Sequence, residues 1–428
     1  MFIPLCQTEG SYDSLVERRM TKPPLRHILI VVENLPVPLD RRVWLEATTL
    51  VKAGYQVSII SPTGQGWIEA FEIREGVRIY RYPAVLEGSG GAVSYVKEYS
   101  SALLHWFRLA RKIWRENPFQ AIHGCNPPDL ICLLALWFRR KGVAYVFDQH
   151  DVCPELYIVK FQKRGIGYWL MRRFERLSYR IASIIISPNV SFHNIAVGRG
   201  RKNTEDIFVV RSAPDLADFK PEPGTKSHQN LAKTQLGYVG VIGQQEGMEH
   251  MVSAAHHLVT VLGETDIHFL IIGFGPSLAE MTQQITKLKL EDYFTFTGAL
   301  YGPALVGALN VIDIGLAPDP HNAMNDISTM NKVVEYMALG KPVVQFDLTE
   351  GRRTAGGASL YAENNDPVIF AQCIKTLVSD PARRREMGQI GKDRVACTLA
   401  WSFSEPQLLA AYAHLAAKRE GEGRTIAP

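Results

Sequence analysis

The sequence is poor in cysteine and has no long apolar run. Its six cysteines include no CxxC pair, which argues against a zinc site and a disulfide framework and favours a reducing cytoplasm. The longest strongly apolar run, residues 130–138, is far shorter than the ~20 residues of a membrane-spanning helix. The N-terminus has no charged-then-apolar signal pattern. We therefore expect neither secretion nor a membrane span.

The chain also lacks a strong net charge. A formal charge of +4 creates no global field that would call for a nucleic-acid partner, so any basic surface must be local. Apolar residues make up 46% and charged residues 21%, the proportions of a soluble globular protein with substantial cores. At 428 residues, two or three compact units are expected.

Short β-branched runs alternate with helix-period segments from His27 onward. This rhythm predicts the α/β class, with two doubly wound, Rossmann-like domains of parallel strands that face each other across a cleft. We divide the chain into a flexible lead-in (1–24), an N-terminal domain (25–212), a Pro- and Asp-rich linker (213–234), a C-terminal domain (235–400) and a final helix (401–428) for which a return to the N-terminal domain is one possibility. The predicted strands are 27–32, 56–60, 77–82, 121–123, 144–147, 183–187 and 207–210 in the first domain, and 236–242, 267–273, 293–298, 313–318 and 342–346 in the second. Residues 368–397 and 402–418 are predicted to be helical.

Ligands of doubly wound sheets bind at the carboxyl ends of the strands, so the loops there are the candidate sites. The loop after the first strand ends in Asp40, Arg41 and Arg42 at a helix start. Helix N-termini attract anions, and arginine binds phosphate or carboxylate through a fork of donors. A capped helix with solvated arginines is the equally open alternative.

A histidine follows the strand 144–147 in the segment DQHDVCPE. His150 lies between Asp148 and Asp151, and an imidazole so placed can orient a substrate hydroxyl or share a proton. The alternative is a surface histidine without a role. His123, at the end of the preceding strand, is interpreted as structural.

The second domain contains glycine turns and one long polar loop. Gly243, Gly273 and Gly275 follow strands and allow close approach of backbone to a phosphate. Between residues 317 and 344, a strand ends in a polar loop and a helix begins near Asn331. Amides around residues 328–331 suit a diphosphate, and Glu335 can accept both hydroxyls of a ribose. Alternatively, Glu335 only favours the helix dipole. The candidate donor-binding and catalytic residues of this loop are Asn325, Asp326, Ser328, Thr329, Met330, Asn331, Lys332 and Glu335.

Several ordered segments resemble one enzyme family over almost the whole chain. EYMALGKPVV after a polar, serine-containing loop looks like the donor-binding signature of the family 4 retaining glycosyltransferases, which have the GT-B fold. PLDRRVWLEATTLVKAGYQVSIISP, FDQHDVCPELY, SPNVS, GYVGVIG, FLIIGFGP and FTFTGAL match in the same order. The branch that it resembles most builds bacterial surface polysaccharides.

The resemblance implies roles for particular residues. Glu335 matches the second glutamate of the family's Glu-x7-Glu pair and would bind ribose, while His150 would face the donor sugar. Asp40, Arg41, Arg42 and Asp151 would lie on the acceptor side, in the N-terminal domain. The C-terminal domain would bind the donor, a UDP- or GDP-sugar that is a substrate, and neither a cofactor nor a metal would be needed. The acceptor would be a glycan or a polyprenyl-linked sugar.

The sequence departs from the family pattern at three positions. The first glutamate of the pair would fall at Ile327, so the adjacent Asp326 or Asn325 would take over its contact with the sugar. The usual phosphate-binding Arg and Lys would fall at Val241 and Glu246, neither of which is basic. The basic residues that could compensate are Lys332, Arg352 and Arg353.

Basic and aromatic residues are interleaved in two segments, 105–115 and 156–180. Between Leu156 and Arg180 there are seven basic residues and one acid. A helix of this kind can lie on an anionic bilayer, although an amphipathic helix packed on the sheet is an equal alternative. Together they favour a cytoplasmic protein with peripheral contact to the inner face of the membrane.

Two rival functions remain at the level of sequence. A nucleotide-sugar epimerase of GT-B architecture would convert the donor without an acceptor. A catalytically silent subunit would bind a sugar nucleotide or a partner transferase, as the departures at Ile327 and Glu246 suggest. A dinucleotide oxidoreductase is disfavoured, because no GxGxxG follows the first strand.

Overall fold

A computed structural model describes residues 25–84, 92–217, 219–220 and 233–421. The predicted lead-in, 1–24, and residues 221–232 of the predicted linker lie outside the described part of the chain. The described residues form two sheets, one before and one after that linker. The predicted α/β class is confirmed.

The N-terminal domain is built on a sheet of eight strands in the order β3-β4-β2-β1-β5-β6-β7-β8. Every pair is parallel except β3 with β4. The strands are β1 (His27–Val31), β2 (Gln56–Pro62), β3 (Phe71–Arg74), β4 (Val77–Tyr82), β5 (Ala121–Cys125), β6 (Ala144–Asp148), β7 (Ile184–Ser187) and β8 (Ile207–Val209). The helices are α1 (Arg41–Lys52), α2 (Ala92–Glu116), α3 (Ile131–Arg139), α4 (Cys153–Phe161), α5 (Ile166–Ile181) and α6 (Val190–Gly198).

The C-terminal domain has a parallel sheet of six strands in the order β11-β10-β9-β12-β13-β14. The strands are β9 (Thr234–Val239), β10 (Ile267–Ile272), β11 (Phe294–Gly298), β12 (Ile314–Ala317), β13 (Val343–Phe346) and β14 (Ser359–Ala362). The helices are α7 (Met248–Thr260), α8 (Leu278–Lys287), α9 (Gly302–Asn310), α10 (Asn331–Ala338), α11 (Thr349–Ala355), α12 (Pro367–Ser379) and α13 (Pro381–Arg394), and the long α14 (Trp401–Gly421) follows.

Local sequence sets the ends of the helices that matter for the cleft. Asp40 caps α1, since its carboxylate accepts a hydrogen bond from the Val43 amide at 3.1 Å. Gly54 turns the chain after α1 with a φ of 93°, a left-handed angle that favours glycine. Because α1 follows the carboxyl end of β1, its first turn lies at the carboxyl edge of the sheet.

The structure differs from the predicted elements at four places. Strand β3 is an edge strand and β14 has only four residues, and neither was predicted. The predicted helix 368–397 is divided at Asp380, which caps α13. The basic segment 156–180 forms two helices, because Gln162 ends α4 in the left-handed conformation.

Helix α14 packs on the N-terminal domain although it follows the C-terminal one. Trp401, Leu408, Tyr412 and Leu415 belong to the same core as strands β1 and β2. The indole of Trp401 donates a hydrogen bond to Thr49 of α1 at 3.1 Å. The chain therefore crosses between the domains twice. No helix among the described residues has the length and apolarity to traverse a bilayer.

Candidate active site

Two side chains of the N-terminal domain contact the predicted donor loop and the helix that follows it. Asn189, which caps α6, donates from its amide to the carbonyl of Ile327 at 2.9 Å and to the hydroxyl of Thr329 at 3.1 Å. Arg41, the first residue of α1, forms an ion pair with Glu335 of α10. The loop ahead of α10 therefore lies against the carboxyl edge of the N-terminal sheet, where ligands of doubly wound folds bind.

The carboxylate of Glu335 is buried at this junction. Only 5% of its side chain is exposed, and burial raises the pKa of Glu335 although Arg41 acts in the opposite direction. Residues 326–330 are partly exposed and Asn331 is exposed. The start of α10 is therefore open to a ligand, and the buried carboxylate lies one turn further along the helix.

The two polar residues expected to replace the missing first glutamate are both engaged. Asn325 is buried and donates to the carbonyls of Gln245 and Pro320, at 3.2 and 2.9 Å. Asp326 accepts hydrogen bonds from the amide and the hydroxyl of Thr349, at 2.7 and 3.1 Å. Asp326 also lines a polar cavity of about 630 Å³ at the carboxyl ends of β13 and β14. Both side chains shape the loop.

The glycine turns are required by close packing of backbone. A Cβ at Gly273, where φ is 149°, would lie 1.8 Å from the carbonyl oxygen of Gly240. A Cβ at Gly275 would lie 2.4 Å from the carbonyl oxygen of Ile242. The turns after β9 and β10 therefore lie against each other.

Charges around these turns are mostly balanced within the domain. Lys332 donates to both carboxylate oxygens of Asp319 at 2.9 Å, and only 10% of the lysine side chain is exposed. Glu246 lies against Gly243, and its Oε1 accepts a hydrogen bond from the side-chain amide of Gln245 at 2.9 Å. Among the described residues, Oε2 of Glu246 is buried without a hydrogen-bond partner. Burial raises the pKa of Glu246. A neutral Glu246 would lessen the repulsion of a bound anion.

On the opposite side of the cleft, His150 is fixed from two directions. Its Nε2 lies 2.6 Å from the carboxylate of Asp148, and its backbone amide donates to Asn126 at 2.7 Å. Asn126 also accepts from the amide of Asp151 at 3.2 Å. Burial lowers the pKa of His150, but Asp148 raises it by more, so that the pKa lies above its ordinary value. The site therefore favours the imidazolium.

Beneath His150 lies a buried network of charged side chains. Arg42 contacts Asp148 at 2.7 Å and Glu46 at 3.2 Å, and it donates to the Val210 carbonyl at 2.8 Å. His123 lies 3.3 Å from Asp148 and 3.4 Å from Glu46. Arg42 and His150 hold the pKa of Asp148 well below its ordinary value in spite of burial, and burial raises the pKa of Glu46 to about 7 although Arg42 partly opposes this.

The two arginines in the first turn of α1 lie in different surroundings. Arg42 has 6% of its side chain exposed and supports Asp148 from below. Arg41 is half exposed and crosses the cleft. Glu46 was not among the predicted residues, although its position four residues after Arg42 on one helix is the spacing of an ion pair. Asn126, Asn189 and Asp319 were missed as well. The loop residues that Asn189 contacts are 138 and 140 positions away, so no local pattern indicates these contacts.

Tyr412 of α14 forms a hydrogen bond with His123, a member of this network. Its hydroxyl lies 2.8 Å from Nδ1 of His123, and both residues are fully buried.

We expect Tyr412→Phe to lower the free energy of unfolding by roughly 1–2 kcal/mol, because a buried polar atom loses its partner. Urea denaturation measures this. Tyr55→Phe, at a ring that packs on Tyr412 at 5.7 Å, is the matched control. Equal effects of the two substitutions would contradict the assigned hydrogen bond.

Two family models match the chain. "Glycosyl transferases group 1" covers residues 233–380 and "Glycosyl transferase 4-like domain" covers residues 39–210, so the matches lie on the two sheets that form the cleft. The chain belongs to the family 4 glycosyltransferases. It is therefore a glycosyltransferase, and the resemblance drawn from its motifs is confirmed at the level of the family.

Relatives and solved structures agree with this assignment. The 2-deoxystreptamine glucosyltransferase of Streptomyces kanamyceticus is 26% identical over 63% of this chain and 71% of its own length. The alpha-maltose-1-phosphate synthase of Mycolicibacterium smegmatis is 22% identical over 64% and 74%. Among structures, sucrose-phosphate synthase of Thermosynechococcus elongatus aligns with a TM-score of 0.76 at 16% identity, covering 92% of this chain and 100% of that one. HepE of Anabaena in complex with UDP-glucose aligns with a TM-score of 0.69 at 13% identity, covering 91% and 99%. The fold is GT-B.

Proposed function

We propose that this family 4 glycosyltransferase transfers a sugar from a UDP- or GDP-sugar to a glycan or polyprenyl-linked acceptor, with retention of the anomeric configuration, in cell-surface polysaccharide biosynthesis. The observation that supports this most is the buried carboxylate of Glu335 behind the open start of α10, opposite His150 and its network. A carboxylate accepts two hydroxyls of a ribose, and the amides of a helix start bind a diphosphate. HepE, of similar fold, binds UDP-glucose.

The transfer needs little covalent chemistry from the protein. The bond between the anomeric carbon and the phosphate oxygen breaks, and the acceptor hydroxyl forms the new bond on the same face of the sugar. The acceptor proton passes to the departing phosphate oxygen. The amides at the start of α10 stabilise the charge on the leaving diphosphate, and His150 holds a hydroxyl of the donor sugar.

A panel of UDP- and GDP-sugars tests the donor. A ligand that binds the folded state alone raises the unfolding temperature, so we expect one or a few members of the panel to do so. The stabilising sugar is then incubated with polyprenyl-linked acceptors, and the anomeric configuration of the product is read by NMR. Binding without transfer would favour the silent subunit, and conversion of the donor without acceptor would favour the epimerase.

The acceptor side supports contact with an anionic membrane, which we propose as the place of transfer. On α5, Ile166, Trp169 and Leu170 are 90%, 63% and 48% exposed. Their spacing of three and four residues puts them on one helix face, and Arg173 and Arg176 are exposed on the same helix. Exposed apolar residues beside basic ones are typical of helices that lie at a bilayer surface.

We expect the double variant Ile166→Ser, Trp169→Ser to bind vesicles rich in phosphatidylglycerol roughly tenfold more weakly than the wild type, since two apolar anchors are lost. Cosedimentation measures this. Ile68→Ser is the control, because Ile68 is 72% exposed elsewhere in the N-terminal domain. Equal binding of all three proteins would remove α5 from the membrane contact.

A further inference from the structure

The donor side of the cleft offers little uncompensated positive charge for a diphosphate. Lys332 is bound by both oxygens of Asp319. Beside the turns after β9 and β10 lie Val241, which is uncharged and 55% exposed, and the acidic Glu246. The diphosphate of a nucleotide sugar brings about two negative charges into this place. A cation must come from elsewhere.

Each of the two arginines after β13 forms an ion pair with a carboxylate of the C-terminal domain. Arg352 binds both oxygens of Asp347, at 2.5 and 2.8 Å. Arg353 binds Glu350 at 2.7 Å and the hydroxyl of Ser191 at 2.9 Å. Both side chains are about as exposed as that of Arg41. Neither of them makes a side-chain hydrogen bond or ion pair with α10 among the described residues, whereas Arg41 does.

Arg41 reaches the donor side from the other domain. One nitrogen of its guanidinium pairs with Glu335, and the guanidinium carbon lies 5.6 Å from the ring centre of Phe219, in the crossover between the domains. The side chain is nevertheless half exposed. A guanidinium has five donors in a fixed fork, so the Glu335 contact leaves donors that can bind an anion.

The distances along α10 put this fork near the diphosphate. Glu335 is four residues after Asn331, which corresponds to about 6 Å along the axis of a helix. The open amides at the start of α10 are therefore within about one helical turn of the carboxylate that holds Arg41. A ribose on Glu335 and a diphosphate on these amides would both contact the same guanidinium.

We propose that Arg41 is a donor-binding residue supplied by the N-terminal domain, which binds the diphosphate of the nucleotide sugar while it remains paired with Glu335. This inference rests on the proposed function and reassigns Arg41 from the acceptor side to the donor side. It also gives the two domains a common ligand contact.

Calorimetric titration with UDP and GDP, and NMR titration with uridine and guanosine, test this proposal on the full chain. We expect Arg41→Gln to weaken binding of the preferred diphosphate roughly tenfold to hundredfold, the effect of losing charge-assisted hydrogen bonds, and to change nucleoside binding by less than about threefold. Lys52→Gln, at the other end of α1, is the matched control for loss of one positive charge and should leave both affinities unchanged. Glu335→Gln should weaken the binding of the nucleoside and the binding of the nucleoside diphosphate by similar factors.

Two results would overturn the assignment of Arg41 alone. One is unchanged diphosphate affinity in Arg41→Gln. The other is an equal loss for nucleoside and diphosphate, which would make Arg41 a holder of Glu335 without contact to phosphate. If the wild-type protein binds neither UDP nor GDP, the proposed function fails together with this inference, so the two failures can be told apart.

Discussion

Glu335→Ala should abolish or strongly reduce the rise in unfolding temperature that a nucleotide sugar produces in the wild-type protein. The reason is that two hydroxyls of the ribose lose a charged acceptor, and each hydrogen bond to a charged group contributes about 1.5–3 kcal/mol. The dissociation constant should therefore rise by roughly a hundredfold or more. Differential scanning fluorimetry with the stabilising sugar, followed by calorimetric titration, measures both quantities.

The control for this experiment is Glu280→Ala, at an exposed glutamate of α8 in the same domain. It should retain the full thermal shift. The unfolding temperature of the variant without ligand must also be compared with that of the wild type, because Glu335 is buried and paired with Arg41 and its loss alone can change stability. An undiminished shift in a folded Glu335→Ala protein would remove Glu335 from the donor site.

His150→Ala should impair turnover much more than nucleotide affinity. Nε2 of His150 is held by Asp148 at 2.6 Å, which leaves Nδ1 to bind a hydroxyl of the donor sugar rather than the nucleotide. We expect kcat to fall by about a hundredfold or more, the range for a positioned proton-transferring or hydroxyl-binding group. The dissociation constant of the nucleoside diphosphate should stay within about threefold.

Initial rates of sugar transfer give kcat, and titration with the nucleoside diphosphate gives the affinity. His193→Ala is the control, since His193 lies on α6 of the same domain and its ring forms one side-chain hydrogen bond among the described residues, with the neighbouring Asn194. Full turnover of the His150→Ala protein would rule out the assigned role. A loss of nucleotide affinity as large as the loss of kcat would place His150 against the nucleotide instead of the sugar.

The order of strands and helices could be predicted because local pattern determines it. β-branched runs such as those of β1 and β7 are buried on both faces, and their composition alone distinguishes them from the amphipathic helices between them. Asp40 and Gly54 marked the ends of α1 for local reasons. By contrast, β3 is an exposed edge strand and β14 has only four residues, so neither had an apolar run long enough to be recognised.

Two candidate site residues could be proposed from the sequence as well. Glu335 and His150 stand in segments that resemble a known family, and each follows a buried strand of a parallel sheet. Their placement at the cleft is a consequence of topology, since the carboxyl ends of parallel strands share one edge.

The partners of these residues were decided by tertiary structure alone. Arg41 and Arg42 are adjacent and identical in type, yet one crosses the cleft to a residue 294 positions away and the other is buried against Asp148, 106 positions away. The spacing of four residues from Glu46 marks Arg42 locally, but no local pattern indicates the distant partner of either arginine, because the direction of each side chain depends on how α1 sits on the sheet and on where the second domain lies. The sequence determined the sheets and the motifs at their edges, while the folded chain decided which charges meet, since ion pairs form between groups that only packing brings within about 4 Å.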